Sequence, residues 1–491
     1  MNFLFIYFNQ EFRPRTLLSI SLLEAIVKNE GHRTLIFDTS FYESLMEPWA
    51  FNSQKAGIRR SVKNLEIKIK TSDPYDDLKR KVENFQPHII GFSYYSVQEK
   101  MQRELLLPLK KDFPNIKIIA GGPKPCINPE KSLEEEYIDM ICHGEGETVI
   151  KEVCCKIESG DSLENIKGLW VKKVDGTVIS NGISQLANLD DLPIQDWDSY
   201  DPIHIYGMYE GHAYRMGHVE NTRGCPFNCS YCGSGSIKKA YRDSGQKKYV
   251  RHKSPKKIVE ECRILKEKYD LELFYFLDGT FTVLPLDVLE ELAERYSKKV
   301  NVPFIALVRA DTICEKTARL LKKMNCRHAS IGIESGDEEY RSRVLNRKMS
   351  DQVIIDAINY LKDNNIIVSS YNMIGLPGMD RKHVFKTIEL NKLAKPSSSA
   401  VTMFMPFPDN ELTKSLIEQK LIDPDNIIVA DGDTPTVEIK EMDTKEIKGL
   451  YNTFNLYVRF PKWLYPFIKL LENENRITDF ILKNIYKVIR K

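Results

Sequence analysis

Hydrophobic positions along residues 1–190 alternate between two periods. Short apolar runs at 3–8, 34–38, 89–93, 117–120 and 137–142 have the length and composition of buried strands. Residues 16–29 carry helical spacing instead, with Gly31 placed where a C-cap would fall. Residues 43–85 are charged and helix-rich. The later strands run into small or polar residues: Gly91-Phe92-Ser93, Gly121-Gly122-Pro123 and His143-Gly144-Glu145-Gly146-Glu147. Strands alternating with helices predict an α/β fold built on a doubly wound parallel sheet. Ligands of such sheets bind at the strand C-terminal ends. Residues 168–171 and 176–179 read as a small hairpin, followed by an acidic, proline-containing connector at 189–197.

The alternation resumes at 216–410. Candidate strands end at Arg223, at Leu277-Asp278-Gly279, at Val308-Arg309-Ala310-Asp311, at Gly332-Ile333-Glu334-Ser335, at Ile374-Gly375-Leu376-Pro377-Gly378 and at Phe404-Met405-Pro406. Helical stretches such as 255–269 and 351–364 separate them. Six such units predict a partial (β/α)6 barrel, whose site residues would lie at the strand C-termini. From about 440 the pattern changes to aromatics and aliphatics interleaved with Lys and Arg. That suits a helix lying against an interface, or one docked on the protein's own surface with snorkelling lysines. The expected organisation is a Rossmann-like domain at 1–190, a linker at 191–215, the barrel at 216–430 and a helical C-terminal extension at 431–491.

Composition narrows the function classes. The chain has 491 residues, 42% hydrophobic and 29% charged, with a formal net charge of +2. That balance gives no general attraction to nucleic acid. No apolar run approaches the ~18 residues of a membrane span. The N-terminal M-N-F-L-F-I-Y-F reads as a first strand and lacks the basic region and cleavage site of a signal peptide. Ten cysteines are present, most of them single in apolar surroundings, as buried free thiols are.

Three of them are different. Cys225, Cys229 and Cys232 stand at C-x3-C-x2-C spacing directly after Asn221-Thr222-Arg223-Gly224. Three thiolates on one short loop can hold three corners of a cubane iron–sulfur cluster, leaving one iron open to a small molecule. Structural zinc would close with four ligands; the nearest further cysteine is Cys262, in a helical pattern. Both readings of the metal stand at this level.

This spacing, with an aromatic before the last cysteine, resembles the radical S-adenosylmethionine (radical SAM) enzymes. The first 200 residues resemble the cobalamin-binding domain that precedes one large branch of that family, through the three glycine-rich strand ends, the Asp191-Leu192-Pro193 connector and the Gly-Leu-Trp hairpin. The resemblance implies a [4Fe-4S] cluster on Cys225, Cys229 and Cys232, with Phe227, Tyr231 and Gly233 beside the cluster or the adenine. It implies that Asp278 meets the S-adenosylmethionine ammonium, Arg309 its carboxylate and Glu334 the ribose hydroxyls. It also implies cobalamin against Ser93, Tyr94, Tyr95, Gly121, Gly122, His143, Gly144 and Glu145. The family's usual glycine-glycine-glutamate is here Leu277-Asp278-Gly279. The Asp-x-His-x-x-Gly motif of well-known cobalamin domains is absent, which leaves the lower axial position of cobalt unassigned.

By resemblance, the activity is reductive cleavage of S-adenosylmethionine to a 5′-deoxyadenosyl radical, serving methylation of an unactivated carbon. Two alternatives stand beside it: an oxidative cyclase or rearrangement without net methyl transfer, and a non-catalytic cobalamin sensor or carrier. The expected partners are a small-molecule, hydrophobic substrate of lipid, isoprenoid or tetrapyrrole type, and reduced ferredoxin or flavodoxin as electron donor. The expected location is the cytoplasm, with peripheral membrane contact through the tail.

Overall fold

The computed structural model describes residues 1–9, 14–16, 18–45, 67–407, 410–423 and 436–489. Part of the charged stretch expected to be helix-rich, 46–66, lies outside the described residues. So do 490 and 491 at the end of the tail.

The chain divides into two compact units, 1–220 with 237–275, and 221–236 with 276–491. The first is organised around seven strands: β1 (Asn2–Tyr7), β2 (Arg33–Asp38), β3 (Ile89–Ser93), β4 (Lys117–Gly121), β5 (Met140–Cys142), β6 (Leu169–Lys172) and β7 (Val178–Ile179). Their order in the sheet is β2-β1-β3-β4-β5-β6-β7. β1 to β5 are parallel. β6 and β7 add antiparallel at one edge as the expected hairpin. Helices Leu18–Asn29, Pro74–Phe85 and Glu99–Asp112, and the short pair Pro123–Ile127 and Pro129–Leu133, supply the crossovers between the parallel strands, and Gly146–Ser159 leads from β5 to β6.

The strands read as continuous apolar runs because both faces of a parallel sheet are covered. Leu4, Ile6, Ile90, Phe92, Ile118 and Ala120 belong to one core cluster with Leu78, Leu105 and Leu109 from the helices. Local signals set the helix ends. Asp73 caps 74–85 by accepting from the Tyr75 and Asp76 N–H groups, and Gly160 closes 146–159 in the left-handed conformation. Three further elements belong to this unit: the antiparallel hairpin of β8 (Tyr206–Tyr209) with β9 (His212–Val219), and helix Pro255–Tyr269, N-capped by Ser254.

In the second unit β10 (Thr222–Arg223) leads into the cysteine loop. Next in chain order, β11 (Arg251–His252) and all but the last residue of β12 (Leu273–Phe276) belong to the first unit. The second unit then contributes β13 (Phe304–Val308), β14 (Cys326–Glu334), β15 (Ile367–Ile374) and β16 (Ser398–Met403), parallel and adjacent in that order. Helices Leu286–Lys299, Glu315–Lys323, Asp351–Asp363 and Arg381–Ala394 alternate with them. This is the α/β repeat expected of a partial barrel. Helix Thr444–Arg459, capped by Asp443, packs Ile447, Leu450 and Phe454 into a cluster with Ile374, Leu376 and Ile388. Helices Tyr465–Leu470 and Arg476–Ile489 follow it. Among the described residues no helix is long and apolar enough to cross a membrane.

Candidate active site

The cysteine loop is fixed from both ends. Gly224 sits at φ +88°, a backbone conformation that disfavours a side chain, and turns the chain out of β10. Just upstream, one carboxylate oxygen of the buried Asp278 accepts from the Asn221 N–H at 3.1 Å and from both the N–H and hydroxyl of Thr222. Asp278 therefore anchors the segment that enters the loop. Beyond Cys229, the Ser230 N–H donates to the Leu345 carbonyl at 3.2 Å and its hydroxyl to the Val344 carbonyl at 2.6 Å. Asn346 Nδ2 donates to the Asn228 carbonyl at 2.8 Å, and Asn410 Nδ2 to the Tyr231 carbonyl at 3.0 Å.

Two guanidinium groups converge on the middle cysteine. Arg309 donates from Nη1 to Cys229 Sγ at 3.2 Å and from Nε to Asp311 at 2.7 Å. Its guanidinium carbon lies 3.8 Å from the Phe227 ring centroid, a cation–π contact. Arg347 donates to Cys229 Sγ at 3.7 Å, to the Tyr231 hydroxyl at 3.2 Å and to the Gly332 carbonyl at 2.6 Å. It lies 3.9 Å from the Glu334 carboxylate. Tyr231 in turn donates its hydroxyl to Glu334 at 3.0 Å. Burial pushes the Glu334 carboxyl up; Arg347, Tyr231 and Arg309 pull against that.

Glu334 reaches this position through a register shift between Gly332 and Glu334 against β15, and it holds φ +65°. A bulge re-aims a side chain at a strand end. A non-glycine residue held in the left-handed region costs of order 1–3 kcal/mol and persists where its surroundings over-determine it.

The loop suits a cluster. It presents three thiols, Cys225, Cys229 and Cys232, all free. Cys232 is exposed and Cys225 and Cys229 are partly exposed, so the three residues are approachable, and a Cβ built at the neighbouring Gly233 would meet nothing within 4 Å. The two cations match the negative charge that thiolates and a cluster bring. Among the described residues no three His, Cys, Asp or Glu side chains converge on one ion position. That is compatible with a cubane, whose corner ligands each hold a different iron. Cys262, the other cysteine considered for zinc, is buried in helix Pro255–Tyr269.

The strand ends of the first unit carry the second set of expected residues. Ser93 pairs with Gly121 in register, and Ala120 with Ile141, so Ser93, Gly121-Gly122 and His143-Gly144 follow one C-terminal edge of the sheet. Tyr95 is exposed there. Tyr94 departs from the expectation that it would flank the ring: alternation turns it into the core, against Phe92, where Lys124 Nζ donates to its hydroxyl at 2.8 Å. Gly122 has φ +96°, and a Cβ there would stand 2.5 Å from Ser93 Oγ. His143 packs edge-on to Trp170, and burial holds its imidazole below the usual range. The Glu145 carboxylate accepts from the Ala187 N–H at 2.9 Å and forms an ion pair with Arg251. This edge of glycines and hydroxyls is chemically suited to the face and amide side chains of a corrin.

Arg347, Asn346 and Asn410 were not marked by the sequence. Arg347 follows a short helix, Glu338–Arg343, rather than ending a strand. An arginine thirteen residues beyond a strand-end glutamate has no motif context of its own.

Comparison with known proteins agrees with this layout. Residues 18–154 match the B12 binding domain and 219–390 the Radical SAM superfamily. An uncharacterised methyltransferase of Pyrococcus horikoshii is 26% identical over 77% of this chain and 79% of its own length. The anaerobic magnesium-protoporphyrin IX monomethyl ester cyclase of Rubrivivax gelatinosus is 24% identical over 80% and 70%. The solved radical S-adenosylmethionine methyltransferase TsrM of Kitasatospora setae, with cobalamin and a [4Fe-4S] cluster bound, superposes with a TM-score of 0.63 at 14% identity, covering 88% of this chain and 76% of that one. A B12-binding domain followed in one chain by a radical SAM domain, with relatives aligned across both, makes this protein a member of the cobalamin-binding radical SAM enzymes, whose cofactors are a [4Fe-4S] cluster, S-adenosylmethionine and cobalamin.

Proposed function

We propose that the chain is a C-methyltransferase acting on an unactivated carbon of a large hydrophobic substrate, with reduced ferredoxin or flavodoxin as electron donor. The observation that carries the reading is the cysteine triad, complete and braced by Arg309 and Arg347, in a chain that also has a B12-binding domain. A pure cobalamin carrier has no use for that loop. When bound, the cluster supplies the electron that cleaves S-adenosylmethionine, and cobalamin supplies methyl transfer. Cys225, Cys229 and Cys232 would hold the cluster. Arg309 and Arg347 keep positive charge beside Cys229. Tyr231 and Glu334 form a hydrogen-bonded pair able to accept from hydroxyls. Asp278 holds the loop entrance. At the other edge, Ser93, Tyr95 and Gly121-Gly122 would meet the corrin.

A cyclase reading is favoured by one observation, the alignment with the Rubrivivax cyclase across 80% of the chain. The two readings predict different products. The test is anaerobic reconstitution with iron, sulfide and hydroxocobalamin, then dithionite and S-adenosylmethionine bearing a deuterated methyl group, with a lipid and pigment extract as substrate pool. Methyl transfer gives 5′-deoxyadenosine and an extract product carrying the label. Radical formation with no label in any product supports the cyclase reading. No 5′-deoxyadenosine from the reconstituted wild type, or a yield that Cys229→Ala leaves unchanged, refutes both.

A further inference from the structure

The C-terminal helices hide one face and expose another that is equally apolar. Trp463, Phe467, Leu470, Ile477 and Phe480 are 63–71% exposed; among the described residues only two other large hydrophobics, Val174 and Leu393, exceed 60%. A stray surface leucine needs no explanation, but a run of five large side chains within eighteen residues marks an interaction surface.

The spacing shows two faces on each helix. In 463–470 the exposed set falls at i, i+4 and i+7, while Ile468 and the partly buried Leu464 and Leu471 pack inward. In Arg476–Ile489, Ile477, Phe480 and Ile481 fall at i, i+3 and i+4 on the outside, while Thr478 and Leu482 are buried and Ile485 packs inward. Tyr486 donates to the Asn452 carbonyl at 2.7 Å, which ties this helix to Thr444–Arg459. Both inner faces join one core cluster, so both outer faces point away from it. Exposed basic residues border the apolar stripe. Arg476, Lys483 and Lys487 share one flank of the last helix, at i, i+7 and i+11, and Lys469 flanks the helix before it. Ring-bearing apolar side chains beside a basic flank are the composition of a helix lying in a bilayer interface.

We infer that this face docks on a membrane surface bearing anionic phospholipid, with Trp463, Phe467 and Phe480 entering the headgroup boundary and Lys469, Lys483 and Lys487 over the phosphates. The inference is separate from the methyl-transfer reading: it concerns where the enzyme works and holds whichever reaction the site performs.

The experiment is flotation of the full chain with vesicles of phosphatidylcholine alone and of phosphatidylcholine with 30% phosphatidylglycerol. The expected result is recovery with the anionic vesicles, weakening as salt rises. Lys483→Glu/Lys487→Glu should reduce that partitioning by at least about thirtyfold, since each basic residue near an anionic surface contributes roughly a factor of five. Trp463→Ser/Phe480→Ser should reduce it by at least about tenfold through lost apolar insertion. All four positions are exposed, so circular dichroism and melting of the variants should match wild type. Brominated acyl chains should quench a tryptophan signal that Trp463→Phe removes. Absence of flotation with either vesicle overturns the proposal. So does concentration-dependent self-association that Trp463→Ser/Phe480→Ser abolishes without any vesicle binding, which would make the face a contact between two copies of the chain.

Discussion

Replacing Arg347 with methionine tests whether the braced loop is held as the geometry says. The side chain is buried, and its guanidinium donates to the Gly332 carbonyl at 2.6 Å, to Tyr231 at 3.2 Å and to Cys229 Sγ at 3.7 Å, with Glu334 at 3.9 Å. Methionine fills most of the volume and removes every donor. Removing one partner of a buried ion pair costs about 3–5 kcal/mol, because the other charge is left without compensation. Glu334 keeps its bond from Tyr231, and its carboxyl is already pushed toward the neutral form by burial, so the cost should fall near the lower end, about 3 kcal/mol. Glu334→Gln removes the opposite charge and isolates the pair. In the four-protein cycle, Arg347→Met with Glu334→Gln should cost less than the sum of the single changes by about 1–2 kcal/mol. Denaturant unfolding under reducing, anaerobic conditions gives the energies. Hydrogen exchange in peptides covering 224–233 reads the loop itself, which should lose protection in Arg347→Met and recover part of it in the double variant. Additivity within about 0.5 kcal/mol, or loop protection unchanged by Arg347→Met, would refute the coupling.

Asp278→Asn keeps an acceptor oxygen for Asn221 and Thr222 but loses its charge, so stability should fall by about 2 kcal/mol in thermal unfolding; a stable variant that no longer cleaves S-adenosylmethionine would instead assign the carboxylate to the ligand. His218 is buried and its imidazole is lowered to about 4 by desolvation, with Arg15 adding to the effect. The unfolded chain takes up that proton first as pH falls through 6.5, so this contribution is whole at pH 7 and is lost between pH 6.5 and about 4, amounting to roughly 3 kcal/mol. His218→Phe should flatten the stability–pH curve in that window, and an unchanged slope would show that other groups set it. Gly122→Ala forces a side chain into φ +96°, ψ −165° with Ser93 Oγ 2.5 Å from the new Cβ, whereas Gly31 at φ +82° has open space. Gly122→Ala should cost at least about 1 kcal/mol more than Gly31→Ala by melting temperature, and equal costs would mean that Ser93 moves aside freely.

The strand-and-helix order was readable because each element carries its own period. β3 and helix Pro255–Tyr269 fall at the expected residues, and β1, β2 and β4 lie within a residue or two of theirs. A strand covered on both faces must be apolar throughout, and a crossover helix must be apolar on one side; both constraints act over fewer than twenty residues. The triad was readable for a similar reason: three ligands on one loop leave a local spacing. The side chains that brace the loop obey no local rule. Arg347 contacts Cys229 across 118 positions and Asn410 contacts Tyr231 across 179. Only the strand order of the folded chain makes them neighbours. Tyr94 shows the limit in miniature. Its position between Ser93 and Tyr95 was visible, but the face it takes depends on the phase of β3 at its last residue.

The tail shows a second kind of limit, in which a pattern is visible but its two explanations are not exclusive. Interleaved aromatics and lysines fit a helix docked on the protein and equally a helix at an interface. In the fold, Leu482, Ile485 and Tyr486 satisfy the first, and Ile477, Phe480 and Ile481 remain for the second. A helix that only had to dock would be expected to place polar residues on its outer face, because exposed apolar side chains gain nothing from water. The apolar outer face therefore calls for a contact that the folded chain itself does not supply, and the vesicle experiment tests for that contact whichever reaction the radical site performs.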